Sequence, residues 1–335
     1  MRIAFEDDQV QVIHAPGASA HVIVTFDTMG RLANGKRFWG DVLPARYATE
    51  CYGVVAKRNN WYPAPSMRAV AGLLAPLRGS RVLIGYGHSM GGYACLKYAA
   101  LLGLAGSVAS GPQLTIDPEG PVADQRYTHH FDPARHAGMQ IMPEDLGARH
   151  VVVYDPGLKE DRLHAEAILA LSPRVVAIRL PYVNHRATVG LRPSTVLLPL
   201  FDAIAEGTLA ERLPALSRAA RAAKKTHPQY LVYLARAAIK AGKPRAALGI
   251  LRRMEAEPDR RLAMERHLYA ARACRALGRA AEAAANYEAL LALAPAHPHA
   301  ARELDQLRRA GSVQASRPAA RPGRPAGGPL AGRPA

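Results

Sequence analysis

The hexapeptide at residues 87–92, Gly-His-Ser-Met-Gly-Gly, most limits how this chain can fold. It follows residues 81–85, a short apolar run rich in branched side chains, which predicts a buried strand. It precedes residues 93–102, which are small and mostly apolar and predict a helix. A serine between glycines at a strand-to-helix turn is typical of a nucleophile elbow, because the strained turn leaves no room for side chains beside it. The pattern predicts Ser89 as a nucleophile near the positive end of a helix.

This motif resembles the elbow of the α/β-hydrolase superfamily. Its continuation into Tyr93-Ala94, and the run at residues 110–113 one strand later, are similar to a bacterial subgroup often found beside tetratricopeptide repeats. The resemblance covers about the first two thirds of the chain. It implies a mostly parallel α/β-hydrolase sheet flanked by helices and a serine hydrolase with a Ser-Asp-His triad, but it implies no substrate.

Further apolar runs predict the other strands of such a sheet, and two of the strands are followed by triad candidates. Residues 1–12 predict two short leading strands, and further strands are predicted at 21–26, 52–57, 106–110, 150–154 and 174–180. Asp155 directly follows the strand at 150–154, where the family places its acid, and His185 lies behind the last strand. The chain order Ser89, Asp155, His185 matches the family's order. Asp161 is the alternative acid, although its position also suits a helix N-cap.

The oxyanion hole is expected from two backbone N–H groups. One belongs to Met90, directly after the nucleophile, and by alignment with the early-strand loop of such hydrolases the other belongs to Thr28. The family's usual His-Gly pair is absent from this loop, and Asp27 occupies the place of the glycine.

Residues 112–148 predict a small lid or substrate-facing insert, because hydrolases of this class often carry caps at this point of the chain. The insert contains His129, His130 and Asp132, but the spacing supports surface positions rather than a metal site. No metal and no cofactor are predicted.

The C-terminal third predicts paired helices. Residues 242–258 and 278–295 repeat one pattern at an offset of 36 residues, with glycine at a turn, small residues where helices cross and proline at the end. The pattern resembles the tetratricopeptide repeat, which implies a groove for a protein or peptide partner. An appendage that packs on the hydrolase or forms a dimer remains an equal alternative. Residues 312–335 are Pro, Gly, Ala and Arg-rich and predict a disordered basic tail.

Composition adds few limits. The 335 residues carry a formal charge of +17, but no aromatic-interleaved basic patch appears, so nucleic acid is not favoured as a partner. The three cysteines are far apart and suggest neither disulfides nor zinc. The sequence shows no signal peptide and no segment apolar enough to span a membrane, which favours a cytoplasmic protein.

Together these features predict three parts: a hydrolase domain at 1–207, helical repeats at 208–311 and the tail at 312–335. The expected activity is cleavage of a small-molecule carboxylic ester, or a related acyl bond, through an acyl-enzyme. The alternative is a catalytically silent hydrolase-fold scaffold whose repeats bind a protein partner.

Overall fold

A computed structural model describes residues 1–254 and 259–315 of the chain. Eight strands form one sheet: β1 (Arg2–Glu6), β2 (Val10–Ala15), β3 (His21–Phe26), β4 (Glu50–Ala56), β5 (Val82–His88), β6 (Gly106–Ser110), β7 (Arg149–Tyr154) and β8 (Val175–Arg179). All the strands that the apolar runs predict are present, with ends shifted by a few residues at most.

The strand order is β1-β2-β4-β3-β5-β6-β7-β8. Strand β2 is antiparallel to both β1 and β4, and the remaining neighbours pair in parallel. This mostly parallel sheet fits the α/β-hydrolase fold, as the resemblance implies. Because parallel strands end at one edge of a sheet, the segments after β3, β5, β7 and β8 meet there. These segments carry Thr28, Ser89, Asp155 and His185.

Helices cover both faces of the sheet. They are α1 (Val42–Tyr47), α2 (Ala64–Leu74), α3 (Met90–Lys97), α4 (Ala99–Leu102), α5 (Lys159–Leu171), α6 (Leu198–Glu206) and α7 (Leu209–Ala223). One buried apolar cluster joins the sheet to α2, α3 and α5, and a second joins it to α1, α6 and α7. The long apolar strands are therefore buried from both sides, as parallel strands require.

The first compact unit of the chain ends at Leu234, well beyond the predicted boundary at Gly207. Gly207 does end α6 in a left-handed conformation, so the local signal was correct. However, Leu209, Leu216 and Ala220 of α7 belong to the buried cluster on one face of the sheet. The boundary prediction was wrong because α7 is a core helix despite its exposed alanine and arginine residues.

Residues after α7 also hold the loop that follows β8. The Lys224 ammonium donates a hydrogen bond to the Pro181 carbonyl, and the Gln229 side-chain amide donates one to the Val183 carbonyl. Both donors are almost fully buried. The loop that carries His185 thus depends on chain segments beyond Gly207.

Ending the chain after Gly207 is therefore expected to destabilise the first unit. The truncation removes buried leucines of α7, each contributing about 2 kcal/mol, together with both hydrogen bonds to the loop. A chain ending after Lys240, at the end of a later helix, should keep the stability of the first unit. Urea unfolding followed by circular dichroism compares the two, and equal midpoints would restore the boundary at residue 207.

The second unit, from Ala235 onward, contains paired helices. Helix α8 (Pro228–Lys240) runs into it, followed by α9 (Pro244–Leu251), α10 (Arg260–Ala276), α11 (Ala280–Leu293) and α12 (Pro298–Ala315). Gly242 and Gly278 both have a positive φ, of 69° and 71°, at the turns before α9 and α11. Each turn contains a corresponding backbone hydrogen bond: the Lys243 N–H donates to the Ala238 carbonyl, and the Arg279 N–H donates to the Cys274 carbonyl. The 36-residue period is therefore visible in the backbone.

Membership of the tetratricopeptide family, and a protein partner, stay predictions. Pro258 of the first repeat and residues 316–335 of the predicted tail lie outside the described residues, whereas 312–315 continue α12.

No helix within the described ranges is long and apolar enough to cross a membrane.

Candidate active site

The turn between β5 and α3 holds Ser89 in a strained conformation, with φ 54° and ψ −120°. The Ser89 N–H donates to the Ser110 carbonyl at 2.8 Å, which ties the turn to β6. A Cβ on Gly87 would collide with the backbone of Gly91, and one on Gly91 would collide with the carbonyl of Phe26. Both glycines are therefore required by close backbone approach, as the motif predicts.

Ser89, His185 and Asp161 form a hydrogen-bonded chain. The Ser89 Oγ lies 2.9 Å from His185 Nε2, and His185 Nδ1 lies 2.7 Å from Asp161 Oδ2. A carboxylate can only accept, so Nδ1 carries the proton and Nε2 presents its lone pair to the serine hydroxyl. This tautomer is the one that a general base for Ser89 needs.

The carboxylate that contacts His185 is that of Asp161, the alternative in the sequence analysis, and not that of the favoured Asp155. Asp155 Oδ2 accepts the N–H groups of Val183 at 2.8 Å and Asn184 at 2.7 Å, and its Oδ1 accepts that of Gly157 at 2.8 Å. Its Oδ2 is thus occupied by backbone of the loop that precedes His185, and its Oδ1 by the turn that follows β7. Asp155 anchors this loop, while Asp161 contacts the imidazole.

The segment between β6 and β7, residues 111–148, is called the insert below, and it supplies a cation to Asp161. Arg126 Nη2 lies 2.9 Å from Asp161 Oδ1, and the Asp161 side chain is 1% exposed. Burial works to raise the pKa of Asp161, but the hydrogen bond from His185 and the charge of Arg126 outweigh it and hold the pKa below its usual value. Asp161 is therefore ionised while buried.

A second histidine, His88, lies against His185, with 4.9 Å between the ring centroids. Burial, reinforced by the neighbouring His185, lowers the pKa of His88 to about 3. Its Nδ1 lies 3.1 Å from the Ser110 carbonyl, so this nitrogen carries the proton. The ring stacks on Trp39 with 5.9 Å between centroids. His88 is therefore a neutral side chain that lines the cavity at Ser89.

The loop after β3 is held by Asp27, whose side chain is fully buried. Its Oδ2 accepts the Trp39 N–H at 2.9 Å, and its Oδ1 pairs with Arg31 Nε at 2.9 Å. Burial raises the pKa of Asp27 to about 7, although Arg31 opposes the shift. Asp27 thus ties the loop together where the family has glycine, and Thr28 beside it lines the cavity above Ser89.

The cavity at the triad has a volume of about 640 Å³, and its lining includes Trp39, Tyr127 and Thr188 besides Ser89 and His185. The Tyr127 hydroxyl lies 3.4 Å from His185 Nε2. A second cavity of about 250 Å³ shares Trp39 and Thr188 with the first. Its lining includes the apolar side chains Val42, Leu43, Tyr86, Leu191 and Leu197.

The histidines of the insert are placed apart from the triad. The His129 and His130 rings contact each other at 4.0 Å, and His130 also packs on Trp61 at 5.3 Å. Across the described part of the chain, no group of three or more His, Cys, Asp or Glu side chains is placed to hold a metal ion.

Sequence reasoning did not single out Arg126, Tyr127 or Asp124 as functional residues. They lie together in the insert, and no motif marks them. One signal was available: an Asp-Gln-Arg-Tyr run places charges beside an aromatic residue in a segment expected to face the site.

No protein-family model and no curated protein matches the chain. Among solved structures it is similar to a capsule O-acetyltransferase of Neisseria meningitidis serogroup A, at 10% identity and a TM-score of 0.39, covering 53% of this chain and 85% of that one. It is similar to a monoacylglycerol lipase of Paleococcus ferrophilus, at 14% identity and a TM-score of 0.39, covering 63% of this chain and 99% of that one. It is also similar to a sugar hydrolase from Lactococcus lactis, at 12% identity and a TM-score of 0.41, covering 63% of this chain and 98% of that one.

Proposed function

We propose that this protein is a serine hydrolase that cleaves a carboxylic ester, or a related acyl bond, with Ser89 as nucleophile, His185 as base and Asp161 as orienting acid. The observation that carries the proposal is the continuous chain from Ser89 Oγ through His185 to Asp161, at 2.9 and 2.7 Å. The strained serine at the end of β5 supports it, because such strain is retained where it serves function.

In the proposed reaction, Ser89 Oγ attacks the acyl carbon while His185 Nε2 takes the hydroxyl proton. The imidazolium is stabilised by Asp161, and its proton then passes to the leaving alcohol oxygen as the ester bond breaks. Water then attacks the acyl-enzyme and loses a proton to His185, which returns it to Ser89 Oγ as the acyl–oxygen bond breaks and the acid product leaves.

The oxyanion would be held by the N–H groups of Met90 and Thr28. Met90 is the first residue of α3, so its N–H also benefits from the positive end of the helix. Thr28 follows Asp27, whose contacts keep the loop in place. Each such donor contributes about 3 kcal/mol to lowering the barrier.

A small or medium acyl group suits the site best. The second cavity adjoins the first through Trp39 and Thr188, and its lining is mostly apolar, with Arg31 and Asp41 also present. An acyl chain attached to Ser89 would gain from packing against the apolar part of this lining. Burying each methylene contributes about 0.8 kcal/mol. We therefore expect turnover to rise with acyl length and then to fall once the chain exceeds the second cavity.

A fluorophosphonate probe followed by peptide mass mapping tests the proposal. Labelling is expected on Ser89, and a panel of p-nitrophenyl esters from acetate to decanoate should show turnover with a maximum at an intermediate length. The absence of both labelling and turnover would favour the alternative of a silent scaffold. Labelling on another residue would contradict the assignment of Ser89.

A further inference from the structure

We propose that Arg126 is a positioning residue for catalysis, so that the insert which borders the cavity also holds the catalytic acid in place. The proposal rests on the function proposed above, in which Asp161 is that acid. Arg126 lies far from Asp161 in sequence, but its Nη2 is 2.9 Å from Asp161 Oδ1. The other carboxylate oxygen of Asp161 faces His185. The two oxygens thus have separate partners, and together these determine how the carboxylate is turned.

Arg126 is itself held by hydrogen bonds to Asp124. Its Nη2 lies 2.7 Å from Asp124 Oδ2, and its Nε lies 3.0 Å from each oxygen of the same carboxylate. The planar guanidinium therefore bridges two buried aspartates, a geometry that the ammonium of lysine cannot reproduce. The ring of Tyr127 lies 5.2 Å from the guanidinium carbon, which adds a cation–π contact.

Asp124 is anchored in turn by helix α5, the helix that carries Asp161. The Leu114 N–H donates to His164 Nδ1 at 3.1 Å, so this nitrogen is unprotonated. The proton of a neutral His164 then sits on Nε2, which faces Asp124 Oδ2 at 3.1 Å. His164 and Asp161 are three residues apart and lie on the same face of α5. The insert and α5 are thereby joined by one polar network.

The charged groups of this network do not balance, because anions outnumber cations when His185 is neutral. Asp124 and Asp161 are two buried anions, Arg126 is the one cation between them, and protonation of His185 adds a second. The groups that interact electrostatically with Asp161 are Arg126 and Tyr127 of the insert, His185 of the loop after β8, and His88 of the elbow. Asp124 acts on Arg126 and Tyr127, and Arg186 acts on His88. Without Arg126, protons would bind the Asp161–His185 pair more tightly.

Replacing Arg126 with methionine tests the proposal by two readouts. With the ester that the wild type turns over best, we expect kcat to fall about 100-fold with little change in KM, because the acid is misplaced while the cavity remains. The acid limb of the pH profile of kcat/KM should move to higher pH by about one unit, because a cation beside the pair is lost. Arg126→Lys keeps the charge, so it should restore the acid limb but only part of kcat.

The matched control is Arg135→Met. Arg135 is also an arginine of the insert, with a side chain 33% exposed against 28% for Arg126, and it pairs with Asp132 away from the triad. This variant should keep both kcat and the acid limb. If Arg135→Met changes them as much as Arg126→Met does, the effect is a general loss of the insert and the proposal is wrong.

A third measurement does not depend on turnover. The proton between His185 Nδ1 and Asp161 should give a far-downfield NMR signal, assigned by its loss in Asp161→Asn. Arg126→Met is expected to shift or broaden it, whereas Arg135→Met should not. An unmoved signal in Arg126→Met would overturn the positioning role. Failure of the wild type to turn over any ester would instead count against the proposed function alone.

Discussion

Replacing Ser89 with alanine is expected to abolish ester turnover and fluorophosphonate labelling while leaving the fold intact. The change removes only the Oγ atom, which is the one atom that can form the acyl-enzyme. Loss of a triad nucleophile lowers kcat by about 10⁶-fold elsewhere, so residual turnover should lie near the background of the assay. The Cβ of alanine occupies the place of the serine Cβ, so the strained turn gains no new collision.

The control for this change is Ser217→Ala. Ser217 is a buried serine of α7 and lies outside the lining of both cavities. It should label and turn over substrate like the wild type, and the thermal midpoints of the two variants should lie close to that of the wild type. Undiminished labelling of Ser89→Ala would remove Ser89 from the mechanism.

The elbow and the sheet could be predicted because their signals are local. The glycines beside Ser89 are needed for close backbone approach, and each strand is a short apolar run bounded by turns. His185 could be placed from the same logic, since chain order and the end of the last strand point to one loop. These features depend on covalent neighbours, which a sequence shows directly.

The acid could not be chosen in this way, because two aspartates follow β7 and the choice depends on contacts from elsewhere. Asp161 looks like a helix cap, but α5 begins at Lys159 and Asp161 lies inside its first turn. A neglected signal was the spacing of Asp161 with Ala165 and Ile168, which places the carboxylate on the buried face of the helix. A buried carboxylate requires partners, and here they are His185 and Arg126.

Arg126 illustrates the other limit. It reaches Asp161 only because the insert returns to the carboxyl ends of the strands. No periodic pattern in the sequence indicates such a long-range contact. The boundary at Gly207 was misplaced for a related reason: α7 has the composition of a linker, and only its packing against the sheet shows that it belongs to the first unit.

Replacing Asp161 with asparagine is expected to lower kcat by about 10⁴-fold, with KM nearly unchanged. Asparagine keeps the shape of the side chain but loses the charge that stabilises the imidazolium. Its amide can also donate to His185 Nδ1, which favours the wrong tautomer for a base at Nε2. The ion pair with Arg126 is lost as well. Single-turnover and steady-state kinetics on the preferred ester measure the effect.

Replacing Asp155 with asparagine is the matched comparison, and it separates the two acids. Asp155 accepts three backbone N–H groups, and an asparagine has one carbonyl oxygen with which to replace two carboxylate oxygens. At least one N–H then faces an amide group, which costs about 1–3 kcal/mol in the free energy of unfolding. Because the imidazole keeps Asp161, kcat should fall by less than about 100-fold. Urea unfolding should therefore rank Asp155→Asn as the less stable variant and kinetics should rank Asp161→Asn as the less active one; the opposite kinetic ranking would return the role of acid to Asp155.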